Sequence, residues 1–444
     1  MDSDRQFEFA FSSGRAGSGP ATWGQQAKWD VIRSLGGDAV RYNVSGGAPL
    51  STPLPVARIG EVVRELTLLH DSLRTRLHAT DAGGLEQSVH AAGAVPVIAR
   101  ESPPDEVQKH AFALYDDLQA MPFDIAGASP VRIGLVASGG DVHYVIFSLP
   151  HTATDGWGLR NLLRDFMVLA TGGAVPDRRS VLQPLDEAEF QASDRGRRRD
   201  AAARRSWREK LAKGPERQFR PRTGEPPART FPNAVLNSPA LALAMDQVAE
   251  HLAVNPGAVL LAAVAAAVGR QTGVHDALFE VCVNNRFVPG LGDGVNAVAQ
   301  EGLFHLARTD ENVADLVRRT FGASLSAQRH AYYDKPAMDR DLAPLPGDRS
   351  CVVNDLRGMI PVLAEQKAAR VPLAQARKRT TLSWPVEFPP RAGLSFALDV
   401  QDAPGSVELA MTADSALIPR TDMERLLYDV ENLAVDLALA LGDG

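Results

Sequence analysis

Cysteine is scarce. Only Cys282 and Cys351 occur in 444 residues, neither lies in a CxxC pair, and no His/Cys cluster has zinc-ligand spacing. A disulfide scaffold and a structural zinc module are therefore not read in this chain. Both cysteines sit in apolar, strand-like runs, Phe279–Val283 and Cys351–Val353, so both are expected to be buried free thiols. Positive charge is not in excess: the net charge is −7, which argues against a general nucleic-acid binder. Long apolar runs are missing too. The most apolar helical stretch, Ala258–Val268, is far shorter than the roughly 20 residues that cross a bilayer, and the polar start Met1–Gln6 has no apolar leader core. The expectation is a cytoplasmic protein with no membrane and no nucleic-acid partner.

What is present is ordinary for a globular chain: 45% hydrophobic and 23% charged residues. At 444 residues it exceeds the roughly 250–300 that one core organises, so two domains are expected. Phe7–Phe11 reads as a strand and the Gly/Ser-rich Ser12–Pro20 as a loop. Thr22 and Gln25 form a capping-box pattern before a helix. Val56–His70 has helical periodicity, and Ser72–Leu77 looks extended. Val131–Ala137 and His143–Leu149 flank Gly139-Gly140-Asp141 as a hairpin, with a helix over Trp157–Leu169. The Gly-rich stretch Ala170–Pro176 suggests a boundary, giving domains 1–178 and 179–444. In the second half, Leu241–Met245 alternates large and small apolar residues, and Asn255-Pro256 marks a helix start. Leu278–Val283 and Ser350–Val353 read as strands, Leu394–Leu398 and Val407–Met411 as a hairpin, and Leu426–Leu441 as a closing amphipathic helix. The class is α/β (α+β) in two lobes. The Pro/Arg-rich Gly214–Pro232 is too long for a plain connection.

The segment Ile-Phe-Ser-Leu-Pro-His-Thr-Ala-Thr-Asp-Gly-Trp-Gly, residues 146–158, stands out. A histidine at the mouth of a buried strand, in a short loop before a helix, is aimed by a rigid frame. Near neutral pH an imidazole can accept or orient a proton of an attacking amine or hydroxyl. The rival reading of Asp155 is a helix N-cap, and of His151 a structural histidine.

Leu149–Gly158 resembles the His-His-x-x-x-Asp-Gly signature loop of nonribosomal peptide synthetase condensation domains. His151 matches the second histidine, Asp155 and Gly156 match the Asp and Gly, and Pro150 stands where the first histidine is found. Four further segments agree in order: Thr22–Trp29, Arg41-Tyr42-Asn43-Val44, Leu69–Leu77, and Phe279–Arg286 with Val283-Asn284-Asn285. The resemblance implies two chloramphenicol acetyltransferase-like lobes forming a V with a tunnel at their junction. It implies condensation-type acyl transfer that joins a carrier-protein phosphopantetheine thioester, or a coenzyme A thioester, to a small-molecule amine or alcohol in natural-product biosynthesis. No bound cofactor or metal is implied, and no adenylation, carrier or thioesterase segment is read here, so a stand-alone enzyme is expected. The alternative is a non-catalytic condensation-like module that recruits a carrier protein or partner enzyme, which Pro150 would suit. An epimerase-like relative is a third reading.

The resemblance also assigns roles. His151 would be the base or positioning group, with Asp155 structural and ion-paired with Arg286 or Arg74. Gly156 would either present its N–H to a developing oxyanion or serve packing. Trp157, Asn284 and Asn285 would line the tunnel, with strand-end hydrogen bonding as the alternative for the two asparagines. The basic run Arg195–Arg208 is either a solvated helix face or a dock for an acidic carrier protein.

Overall fold

Thr22 starts the first helix as its capping box requires. Its Oγ1 accepts from Gln25 N–H at 3.2 Å, and Gln25 Oε1 accepts from Thr22 N–H at 2.8 Å. The computed structural model describes residues 4–12, 15–81, 84–175, 180–221, 229–359 and 371–442. These fall into two compact units. One comprises Met1–Arg198, Asn284–Gln300 and Asp334–Pro336; the other comprises Arg199–Val283, Glu301–Tyr333 and Ala337–Gly444.

The division corrects the boundary expected after residue 178. Residues 176–179 lie outside the described residues, and the helix beyond them belongs to the first unit. Asp71 N–H donates to Gln183 Oε1 at 2.9 Å, Gln87 Nε2 to Pro184 O at 2.9 Å, and Trp23 N–H to Gln191 Oε1 at 3.0 Å. Sequence composition marked the Gly-rich turn, whereas these long-range bonds decide membership.

In the first unit the elements run β1 (Arg5–Ser12), β2 (Gly17–Pro20), α1 (Trp23–Leu35), β3 (Asn43–Pro55), α2 (Val56–Leu69), β4 (Thr75–Ala79), β5 (Leu85–Val89), β6 (Ala92–Glu101), α3 (Val107–Ala120), β7 (Arg132–Ser138), β8 (Asp141–Pro150), α4 (Gly156–Ala170), α5 (Pro184–Ala192) and the start of α6 (Asp194–Lys213). A five-stranded sheet has the order β1-β6-β7-β8-β3. Only β6 and β7 pair in parallel; the other neighbours are antiparallel. Side-chain alternation sends Ile133, Leu135, Val145, Phe147 and Leu149 into one core with α2 and α4, and Val136 and Ile146 into another with Leu114 and Leu118 of α3. Strand β8 is thus covered on both faces, which is why its sequence is a continuous apolar run rather than an alternation. The His151 loop leaves this doubly covered strand.

Two local readings need correction. Ser12–Pro20 is not all loop: Gly17–Pro20 pairs with β5 as the edge of a three-stranded sheet, β2-β5-β4. Ser72–Leu77 is not extended throughout: Asp71–Arg74 forms a 3₁₀ turn before β4 begins at Thr75.

The second unit holds the rest of α6, β9 (Phe231–Ser238), α7 (Pro239–Leu252), α8 (Pro256–Thr272), β10 (Asp276–Val283), nearly all of β11 (Gln300–Ala307), α9 (Val313–Arg329), most of α10 (Lys335–Leu342), β12 (Cys351–Asp355), α11 (Leu373–Arg377), β13 (Thr381–Phe388), β14 (Phe396–Ala403), β15 (Ser406–Ala413) and α12 (Arg420–Gly442). Its seven-stranded sheet runs β11-β10-β12-β14-β15-β9-β13. Leu241–Met245 lies on α7, because Ser238 caps Leu241 N–H at 2.8 Å and Pro239 opens the helix. Asn255 caps α8 in the same way, accepting from Ala258 N–H at 2.8 Å. Every residue of α8 from Ala258 to Gly269 is buried. On the other face of the sheet, Trp207 and Leu211 of α6 pack with Leu278 and Leu303.

Cys351 is buried, and burial first, then Asp348, pushes its thiol well above the ordinary range. Cys282 is only half-buried, contrary to expectation, because its side of β10 is less completely covered. No single described helix is long and apolar enough to cross a membrane. Of the expected long connection Gly214–Pro232, residues 222–228 lie outside the described residues, and Phe231 already begins β9.

Candidate active site

The signature loop is a tight turn between β8 and α4, within the first unit. Ala153 N–H donates to Pro150 O at 2.9 Å, and Thr154 Oγ1 donates to Val295 O at 2.7 Å. His151 stands half-buried at the start of the turn. Its Nδ1 lies 2.9 Å from Thr154 O, and its ring packs on Tyr42 with centroids 4.6 Å apart. A carbonyl oxygen can only accept, so Nδ1 carries the proton and Nε2 keeps its lone pair in the neutral ring. Burial, aided by the Lys28 ammonium and opposed by the Asp155 carboxylate, pushes the imidazole down to about 4. At neutral pH the ring is therefore an uncharged hydrogen-bond acceptor at Nε2. So weak a base orients an N–H or O–H better than it holds the proton.

Asp155 is buried, and its carboxylate faces inward. Oδ1 accepts from Gly158 N–H at 2.8 Å, as a helix N-cap does, and lies 2.9 Å from Arg286 Nη1. Oδ2 accepts from the N–H groups of Val298 and Ala299, each at 2.9 Å. Burial alone would raise this carboxyl; Arg286 and the N–H donors of Gly158 and Val298 outweigh it and hold the carboxyl below its usual range. The residue braces the loop and has no oxygen left for a reacting group.

Of the two arginines considered as its partner, Arg286 occupies the position. Arg74 does not: it is buried against Asp71, and its Nη1 donates to the carbonyls of Arg15 and His90 at 2.7 and 2.8 Å. The 3₁₀ turn at Asp71–Arg74 folds these two residues onto each other, so Arg74 is paired within its own turn. Asn285 is fully buried at φ +55°, with Nδ2 donating to Val298 O at 2.9 Å, so it braces a turn. The side chain of the half-buried Asn284 accepts from Arg286 N–H at 3.0 Å, which is the strand-end bonding considered as its alternative. Gly156 and Trp157 occupy the first turn of α4 and are half-buried.

Sequence reading missed the segment Asn284–Gln300 as a unit. It returns from the second half of the chain and encloses the loop from behind. Asn161 Nδ2 donates to the carbonyls of Gly292 and Gly294 at 3.1 and 3.0 Å, and Asn296 Nδ2 donates to Leu182 O and Glu187 Oε2 at 3.0 and 2.9 Å. Two glycines admit it. A Cβ on Gly24 would lie 1.8 Å from Ala297 O, and one on Gly158 would lie 2.4 Å from Val295 O and from Thr154 Oγ1. No sequence signal separates these glycines from helix-weakening ones; only the approach of a distant backbone does. Replacing Gly24 with alanine is expected to displace Ala297 and lower stability by ~1–3 kcal/mol. A urea midpoint unchanged from wild type would show that the segment yields freely.

The basic run lies on α6. Arg195, Arg197, Arg198, Arg205 and Arg208 are exposed, whereas Arg204 is held between Asp200 and Asp341 at 2.9 and 2.8 Å. Among the described residues, no group of three or more His, Cys, Asp or Glu side chains is placed to hold a metal ion.

The condensation-domain family model matches residues 20–355. Tyrocidine synthase 3 of Brevibacillus parabrevis is 32% identical over 160 residues, covering 36% of this chain and 2% of the synthase. A probable non-canonical nonribosomal peptide synthetase of Salinispora arenicola (strain CNS-205) is 29% identical over 314 residues, covering 67% of this chain and 4% of the synthetase. The chain thus spans a small fraction of these relatives. Among solved structures, the condensation domain of the Monacolin K polyketide synthase superposes with a TM-score of 0.71 at 16% identity, covering 95% of this chain and 98% of that one. A condensation domain described as mediating chain release from the enacyloxin polyketide synthase gives a TM-score of 0.68 at 17% identity, covering 90% and 79%. The mixed helix-and-strand, chloramphenicol acetyltransferase-like fold expected from the sequence is the one present. A family match over residues 20–355, most of the chain, establishes that this protein belongs to the condensation-domain family.

Proposed function

We propose that the protein is an acyltransferase that forms an amide or ester bond in natural-product biosynthesis. The donor is a thioester on the phosphopantetheine arm of a carrier protein, and the acceptor is a small-molecule amine or alcohol. The protein works in the cytoplasm, with the carrier as its partner. The observation that carries this reading is the state of His151: Nδ1 is pinned by Thr154 O, and burial keeps the ring neutral. Nε2 is then an acceptor aligned for the N–H or O–H of the nucleophile. As the nucleophile adds to the thioester carbon, its proton passes toward Nε2, and collapse of the adduct expels the pantetheine thiolate, which takes up that proton. The synthetases and the chain-releasing domain among its relatives support the same class of reaction.

The test is to incubate the protein with carrier-bound acyl thioesters and a panel of amines and alcohols, and to follow product by mass spectrometry. Amide or ester above the uncatalysed background is expected. No product across a broad panel, alongside retained binding of the carrier, would favour the recruiting module that Pro150 suits.

A further inference from the structure

A cavity of about 340 Å³ opens in the second unit between the C-terminal part of α6, strand β11 and the end of α9. Its wall carries Arg205, Lys210 and Lys213 against a single carboxylate, Glu209, with His305 and His330 alongside. Lys210 is the inner cation. Its Nζ donates to Leu303 O at 2.7 Å, which uses one of three N–H donors. His305 Nε2 is buried and has no hydrogen-bond partner among the described residues. His330 Nδ1 lies 2.8 Å from Ser326 O, so Nδ1 donates and Nε2 remains. The backbone behind His330 is fixed, because the indole of the fully buried Trp207 donates to His330 O at 3.2 Å.

Such a concave group of donors lacks the charge that would complete it. Lys210 is half-buried beside the two imidazoles, with Arg205 and Lys213 at the exposed rim, and a half-buried cation gains from an opposite charge joining it. The titration directions agree. Burial pushes Lys210 down to about 8. Burial first, then Lys210 and Lys213, lowers His305 against the pull of Asp276. Burial also lowers His330, opposed by its bond to Ser326 O and reinforced by Lys210, Arg329 and Arg205.

We infer that this cavity is a binding site for a phosphate group, held by Lys210, Lys213 and Arg205, with His305 and His330 joining as N–H donors once their rings are protonated. A phosphate suits the wall better than a carboxylate. Its three terminal oxygens and charge of about −1.5 to −2 can engage several converging donors at once. Binding would also make the protonated imidazoles favourable, so the site would take up protons as it fills. This inference does not depend on the acyl-transfer reading.

Proton NMR of the intact chain tests it directly. The C2–H signals of His305 and His330 would be titrated with inorganic phosphate and, at equal ionic strength, with chloride. Phosphate is expected to raise the pH at which both rings titrate by about 1 unit, and chloride to leave it in place. Lys210→Met and the more conservative Lys213→Gln, at an exposed position, should each weaken phosphate binding by ~10-fold. The same titration with 4′-phosphopantetheine separates the sources. Tighter binding than inorganic phosphate assigns the group to a carrier or coenzyme arm, and equal binding assigns it to a free phosphate. If phosphate shifts His305 and His330 no more than chloride does, or if Lys213→Gln binds phosphate like wild type, the site is not a phosphate site.

Discussion

Substituting His151 with alanine should lower kcat for acyl transfer by ~10²–10⁴-fold while the unfolding midpoint stays near wild type. The ring contributes one bond to a carbonyl and one face to Tyr42, so its removal leaves the braces of the loop in place. The pH profile separates orientation from storage of a proton. With an alcohol acceptor, which does not itself titrate near neutrality, the rate should hold level from neutral pH downward. It should fall only as pH approaches about 4, where His151 takes up its proton. An inflection near 6.5 in wild type that disappears in His151→Ala would show instead that the imidazole is an ordinary base. Equal rates for the two proteins would remove His151 from the reaction.

The second large effect is on stability. Asp155→Ala should cost about 3–5 kcal/mol, measured from urea unfolding, because it strands the largely buried Arg286 guanidinium and three buried N–H groups. Asp155→Asn should lose less, since an amide oxygen still caps Gly158. As a control, Arg318→Ala breaks a pair with Asp315 whose side chains are 55% and 68% exposed, and should change stability by no more than about 1 kcal/mol. If Asp155→Ala unfolds within 1 kcal/mol of wild type, the carboxylate is not the brace described. The same two residues set the acid response in successive windows. His151 is lowered in the fold, so between roughly 6.5 and about 4 the unfolded chain binds a proton that the native chain refuses, and stability declines. Asp155 is also lowered, so its contribution is present above the ordinary carboxylate range and is lost as pH falls through and below it.

Features that depend on near neighbours were legible in the chain itself. The caps at Thr22 and Asn255, the helix over Val56–Leu69 and the β7–β8 hairpin all follow from residues within a few positions of one another. His151 and Asp155 were legible for the same reason: strand, turn and helix lie in one short run. The partner of Asp155 was narrowed to two arginines and no further, because Arg286 is 131 residues away and nothing local ranks it above Arg74. Gly17–Pro20 was unreadable as a strand because glycine and proline disfavour one, and only pairing with β5 overrides that preference. Asn161, Asn296, Gly24 and Gly158 carried no sign of their tasks, since each answers to backbone supplied by a remote stretch. The domain boundary failed on similar grounds. Composition reports where the chain bends, and bonds such as that from Gln87 to Pro184 report where it belongs.

Because Asn284–Gln300 folds with the N-terminal unit, the gene order and the physical unit do not coincide. Recombination or module exchange that joined the first 198 residues of one such protein to the remainder of another would pair a carboxylate from one lineage with a guanidinium and amides from the other. Chimaeras that carry both stretches from one parent keep these contacts within one sequence, so cuts flanking residues 284–300, as well as one near residue 198, are the seams that preserve them.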